Sequence, residues 1–301
     1  MTTVACFGKM PKAADFVRKG ISLPAMRAFE DWFHDAYTAL RGAGERGLRY
    51  RCVTIQPSAK PDEGLIAAVA TPSRDRIGRE FPMVIAALLS KKYLTDGFAP
   101  LALSLSRFCN EAGAAFEANR DGDPEAFYEA VRALAEPGVA EVADARHRWS
   151  ELRANLGARQ MEAECFGDPD DRFYAYHTLL LALRDRPSGR VLMCPTAGNP
   201  AYRAFWIEAI ERANPTASPL PLLWLEGAGA PPGLLVALGK APPAMLSFAL
   251  GHNQRSAALW PMTTTHETAK KRSQEALPGQ EWTEPEQNLG RLMDVLVGTQ
   301  V

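Results

Sequence analysis

The sequence predicts an α+β fold: an antiparallel sheet flanked by helices on both faces, followed by a second, smaller α/β subdomain. Three observations carry this. The apolar runs Gly64–Ala70 and Met83–Leu89 are separated by a polar turn and read as neighbouring strands. The first ~140 residues read strand, helix, three strands, two helices, and strands joined by short turns favour antiparallel pairing. A chain of 301 residues predicts about two domains, and Glu136-Pro137-Gly138 supplies a break between them. The expected division is 1–138 for the sheet-and-helix domain, 139–256 for the α/β subdomain, and 257–301 for a C-terminal extension with a short helix.

Each element follows from local pattern. Thr3 to Phe7 reads as a short strand leaving through a glycine turn at Gly8. From Leu23-Pro24 to Leu40, the residues Met26, Phe29, Trp32, Phe33, Ala36, Tyr37 and Leu40 fall at helical spacing, and Pro24 suits a first turn. Such a stripe is a core face before it is a ligand box. Glycines between Arg41 and Gly47 break the helix, and Arg49 to Ile55 alternates as a strand. Lys60-Pro61-Asp62-Glu63-Gly64 then turns into the run that begins at Gly64. Pro100 opens a long helix carrying Leu103, Phe108, Ala112, Ala115 and Phe116, and Asp123-Pro124 starts another that ends near Leu134. This order resembles longin or profilin-like domains, with one helix on one face of the sheet and two on the other. That likeness concerns fold and says little about function.

The second half reads as a charged helix from Glu141 to Gly157, a helix from Arg172 to Leu183, and a short strand from Arg190 to Cys194. A helix follows from Pro200, with Tyr202, Phe205, Trp206 and Ile210, and then strands at Leu220–Leu225 and Gly233–Leu238. The tail is polar, with Lys270-Lys271-Arg272 and little apolar periodicity. Pro285 opens a last short helix whose face of Leu289, Leu292, Met293 and Leu296 must dock somewhere.

The segment Pro72-Ser73-Arg74-Asp75-Arg76-Ile77-Gly78-Arg79-Glu80-Phe81-Pro82 is the most informative stretch. Its prolines cannot donate to a ladder, and Gly78 supplies backbone freedom in the middle. Asp75 lies between Arg74 and Arg76, which makes an Asp–Arg fork available. Two readings stand: a salt-bridged turn that clamps two strands, or a recognition surface for an acidic or phosphorylated group. Near the N-terminus, Gly8-Lys9 lacks the spacing of a phosphate loop. Asp15 serves as a cap or as a salt partner of an arginine.

These segments resemble the TagF/ImpM family of type VI secretion-associated proteins. The family's N-terminal pattern G-K-[LM]-P-x-x-G-D-F stands here as Gly8-Lys9-Met10-Pro11-Lys12-Ala13-Ala14-Asp15-Phe16, with Ala14 in place of the second glycine. Its Trp-bearing helix is matched by Phe29-Glu30-Asp31-Trp32-Phe33, and its P-S-x-D-R-x-G-R-x-F-P motif is matched in full from Pro72 to Pro82. A looser match to S-x-W-W-x-x-G and G-L-L runs through Leu222–Gly227 and Pro232–Val236, with Leu223 replacing the first tryptophan. Pro242-Pro243-Ala244-Met245 and Phe248 continue the pattern, so the resemblance covers roughly Val4 to Gly251. It implies a cytoplasmic repressor of type VI secretion assembly that acts after translation by binding a forkhead-associated (FHA) scaffold protein. The surface expected to bind carries Arg74, Asp75, Arg76 and Arg79, with Lys9 and Asp15 nearby.

Composition agrees with such a role. The net charge of −1 gives no sign of a nucleic-acid partner. No apolar run reaches the ~20 residues of a membrane span, and the N-terminus lacks the pattern of a signal peptide. Five scattered cysteines without a C-x-x-C pair read as free thiols, which suits the cytoplasm. The five histidines form no H-E-x-x-H or zinc spacing, and neither a G-x-S-x-G elbow nor a G-x-G-x-x-G fingerprint occurs. The acidic run Asp168-Pro169-Asp170-Asp171 lacks calcium-loop spacing and reads as a solvated turn or helix cap. No metal, cofactor or catalytic group is expected. The alternatives are a hydrolase using Ser73, Asp75 and an arginine, and a longin-like adaptor.

Overall fold

Strands buried on both faces read as continuous apolar runs, because every side chain then meets a core. The runs at 65–71 and 83–89 are of this kind. In the computed structural model of the chain, which describes residues 3–45, 47–58, 64–90, 93, 97–134, 138–168, 170–185, 189–213, 220–277 and 287–298, they form β4 (Leu65–Thr71) and β5 (Met83–Leu89), paired antiparallel. Leu65, Ala67 and Val69 enter one core, while Ile66, Ala68 and Ala70 enter the other. The remaining strands of the first half are β1 (Thr3–Gly8), β2 (Val17–Lys19) and β3 (Arg51–Pro57). Helix α1 (Pro24–Gly42) lies on one face, burying Met26, Phe29, Phe33 and Leu40 against it. Helices α2 (Phe98–Asn119) and α3 (Pro124–Arg132) lie on the other, through Phe108, Phe116 and Phe127.

The second half contributes α4 (Val139–Asn155), α5 (Ala158–Cys165), α6 (Asp171–Asp185), β6 (Arg190–Pro195), α7 (Pro200–Ala213), β7 (Leu222–Glu226), β8 (Gly233–Leu238), α8 (Met245–Ala249), β9 (Leu259–Pro261), α9 (Glu267–Ala276) and α10 (Leu289–Gly298). Its strands extend the first sheet. One nine-stranded sheet runs β2-β1-β5-β4-β3-β7-β8-β6-β9, antiparallel except for the β6–β9 pair. The architecture is thus a mixed α+β fold built on one large, mostly antiparallel sheet that crosses the boundary expected near residue 139.

The halves join where β3 pairs with β7, Arg51 facing Glu226 and Thr54 facing Leu223. Arg51 donates from Nε and a terminal nitrogen to Glu226 Oε2 at 3.1 and 2.6 Å, and Trp224 Nε1 donates to Glu226 Oε1 at 2.9 Å. Arg203 of α7 stacks over Trp224, 5.0 Å from the ring centroid. The first segment of the looser motif, Leu222–Gly227, is therefore largely spent on this seam.

Within the tail, α9 is held by charge and α10 by an apolar face. In α9, Lys270 is buried and pairs with Asp171 at 2.5 Å and Asp168 at 3.5 Å. The acidic run therefore neutralises a lysine from the tail, and Asp168 also accepts the Asp170 N–H at 3.0 Å. Helix α10 buries Leu289, Leu292, Met293 and Leu296 in the main core. The turn expected at Lys60–Glu63, the break at Glu136-Pro137 and the helix opening at Pro285 lie outside the described residues.

Candidate functional site

At the end of the sheet, the β4–β5 hairpin projects beyond its strands. The Phe81 N–H donates to Ser73 O at 3.2 Å and the Asp75 N–H to Arg79 O at 3.0 Å, so the pairing continues outward to a tip at Arg76-Ile77-Gly78. Gly78 takes φ +85°, a left-handed conformation that side chains resist, which closes the turn.

The N-terminal motif lies alongside. Gly8 ends β1 with φ +138°, and a Cβ there would fall 2.2 Å from Pro82 O, so only glycine lets β1 pass this close. Arg76 N–H donates to Ala13 O at 3.1 Å, and Arg79 donates through its guanidinium to Ala14 O at 2.9 Å. The Ser73 hydroxyl donates to Lys9 O at 2.6 Å.

Asp75 ties the two motifs together. Its side chain is buried, and its carboxylate accepts from Lys9 Nζ at 2.9 Å, Arg79 Nε at 2.6 Å, Arg79 N at 2.9 Å and Ile77 N at 3.1 Å. Burial pushes this carboxyl up, but the hydrogen bonds from the Lys9 and Arg79 side chains and the Arg79 backbone outweigh it. The group lies well below the usual carboxylate range. Arg74 and Arg76 are not its partners, and no bidentate fork forms: the arginine that pairs with Asp75 is Arg79, through Nε alone, while both neighbours are exposed without an ion pair among the described residues. Asp15 is exposed and stays outside the cluster.

The phenylalanines of both motifs form the floor. Phe81 packs edge-on to Phe16 at 5.1 Å and against His34 at 4.8 Å, and Phe33 and Tyr37 of α1 complete the group. Tyr37 also donates its hydroxyl to Glu80 O at 3.2 Å. On the adjoining edge, Arg18 of β2 makes a bidentate pair with the buried Glu30 of α1, its closest contact 2.7 Å. The whole turn thus rests on a packed platform.

Sequence reasoning passed over Ile77. Its side chain is 69% exposed, against 38% for Leu152, the other exposed large apolar residue among those described. The signal was present: a β-branched residue at the centre of an otherwise polar turn buries nothing within its own fold.

Among known proteins, no curated protein matches the chain. The crystal structure of PA0076 from Pseudomonas aeruginosa PAO1 is similar over 48% of this chain and 77% of that one, with 20% identity and a TM-score of 0.33. The family model of the TagF N-terminal domain, described as type VI secretion system-associated, matches residues 5–134. That span contains the clamp, the turn and the helix beneath them, so this part of the chain matches a TagF N-terminal domain, a type VI secretion system-associated module.

Proposed function

We propose that this protein is a non-enzymatic, cytoplasmic repressor of type VI secretion that acts after translation by binding and sequestering an FHA-domain scaffold protein. Titration of a partner needs affinity and no chemistry, because occupying the scaffold lowers the free pool available for assembly. The observation that carries the reading is the rigid, cation-rich turn at the sheet end. Asp75 is fully engaged in holding it, and the Ser73 hydroxyl is committed to a backbone carbonyl. A pair of side chains so used holds shape rather than reacts, which favours binding over hydrolysis. Lys9 and Arg79 stiffen the surface, Arg74 and Arg76 face outward from it, and Asp15 lies at its rim. Among the described residues no helix is long and apolar enough to cross a membrane.

Analytical ultracentrifugation of the chain with the FHA protein of its own secretion system tests this. A heavier species of fixed stoichiometry is expected, weakened when Arg76 and Arg79 are both replaced by glutamate. Because Arg79 also belongs to the clamp, thermal unfolding of the double variant separates lost contact from lost fold. Absence of any complex at tens of micromolar would overturn the proposal.

A further inference from the structure

The turn divides into two sets of side chains by what they bond: Arg79, although exposed, is tied to Asp75 and Ala14, whereas the outer set makes no such tie among the described residues. The inner set, Lys9, Asp75 and Arg79, is spent on itself: both carboxylate oxygens of Asp75 are engaged, and one of them holds the Ile77 N–H. The outer set, Arg74, Arg76 and Ile77, is exposed and enters no ion pair or apolar core among the described residues. An apolar side chain on a preorganised backbone loses little entropy on docking, and buried anchors of this kind dominate interface energy. The surroundings fix the partner's sign. The segments 9–15 and 74–80 carry five cations, Lys9, Lys12, Arg74, Arg76 and Arg79, against three carboxylates, Asp15, Asp75 and Glu80, in a chain whose net charge is −1.

We infer that Ile77 is the anchor of the partner interface, inserting into an apolar recess whose rim carries carboxylates that meet Arg74 and Arg76. Lys9, Asp75 and Arg79 are positioning residues that make no direct contact. The inference rests on the proposed sequestering of the FHA-domain protein and assigns to that protein's surface an acidic-rimmed apolar pocket.

The test measures the affinity of the full chain for the purified FHA-domain protein in wild-type, Ile77→Ser, Ile77→Leu and Arg74→Glu/Arg76→Glu forms. All of these positions are exposed, so unchanged circular dichroism and thermal midpoints are expected. Ile77→Ser should weaken binding by roughly ten- to a hundredfold, while Ile77→Leu should retain affinity to within a few-fold. The double charge reversal should slow association and remove its dependence on salt, as rim charges act mainly on encounter. If the wild type binds and Ile77→Ser binds within about twofold of it, the inference fails and the proposed function stands. If the wild type itself does not bind, both fall.

Discussion

Replacing Glu211 with glutamine should flatten the response of stability to pH between about 5 and 8. Glu211 stands on α7, and its carboxylate accepts the Phe98 N–H at the start of α2, at 2.9 Å to one oxygen and 3.0 Å to the other. Burial pushes its pKa up from 4.5 to about 7, the Phe98 and Ala99 backbone groups oppose this, and repulsion from Glu208 adds to it. The folded state therefore holds a proton more tightly than the unfolded chain. The associated stability is fully present below the unfolded value of 4.5 and is lost as pH rises through about 7. At 1.36 kcal/mol per pH unit this amounts to about 3 kcal/mol, which residual solvent contact trims to roughly 2–3 kcal/mol. The glutamine keeps an acceptor for Phe98 and cannot titrate. Urea unfolding of both proteins at about pH 5 and about pH 8 reads the effect: the wild type should lose roughly 2–3 kcal/mol more than the variant across that interval. Losses equal to within about 0.5 kcal/mol would refute the reasoning.

Three further outcomes follow from the geometry. Gly8→Ala puts a Cβ 2.2 Å from Pro82 O at φ +138°, and should cost at least about 3 kcal/mol in urea unfolding or prevent folding altogether. Asp75→Asn should blunt acid unfolding followed by circular dichroism. The folded carboxyl lies below its ordinary value of 3.8, so its contribution is present above that value and disappears as pH falls through the folded one, a loss the amide does not undergo. The thiols of Cys6 and Cys109 are pushed up to about 12 by burial, and those of Cys52 and Cys194 higher still. Cys165 is pushed up to about 12 as well, so access decides the order: a thiol-disulfide reagent at neutral pH should label none of the four buried thiols in the native protein, should reach half-buried Cys165 first and slowly, and should label all five on unfolding.

The first half of the fold was legible because its strongest signals are local. The two continuous apolar runs and the aromatic stripe of α1 announce a sheet covered on both faces. What joins the halves is not local: Arg51 meets Glu226, and the Thr54 hydroxyl donates to Leu222 O, across most of the chain length. Sequence pattern sets which face a strand buries but not which edge it finds. The three-residue β2 is too short to show a period, and α9 has no apolar stripe because ion pairs at Lys270 hold it down. In the site, adjacency misled. Side chains next to one another in an extended leg point to opposite sides, so Arg74 and Arg76 leave Asp75 to Arg79 across the turn and to Lys9 from the other motif. The sequence placed Lys9 near the turn but pointed to Arg74 and Arg76 as the partners of Asp75, where the structure has Lys9 and Arg79. Which of the turn's arginines face outward was not readable from either motif.

The pairing of β3 with β7 bears on how the N-terminal family domain can exist apart. Cut after residue 134, β3 would present a bare row of amide and carbonyl groups along Cys52, Val53, Thr54 and Ile55, all buried in the intact chain. An apolar, unprotected edge of that kind recruits strands from elsewhere and drives aggregation. An isolated fragment should stay in solution only when something supplies the missing strand, whether a second copy aligned edge to edge or an extended peptide added to the sheet. The second half thus acts as an intramolecular chaperone for the first, covering the one edge that the family domain cannot cover for itself.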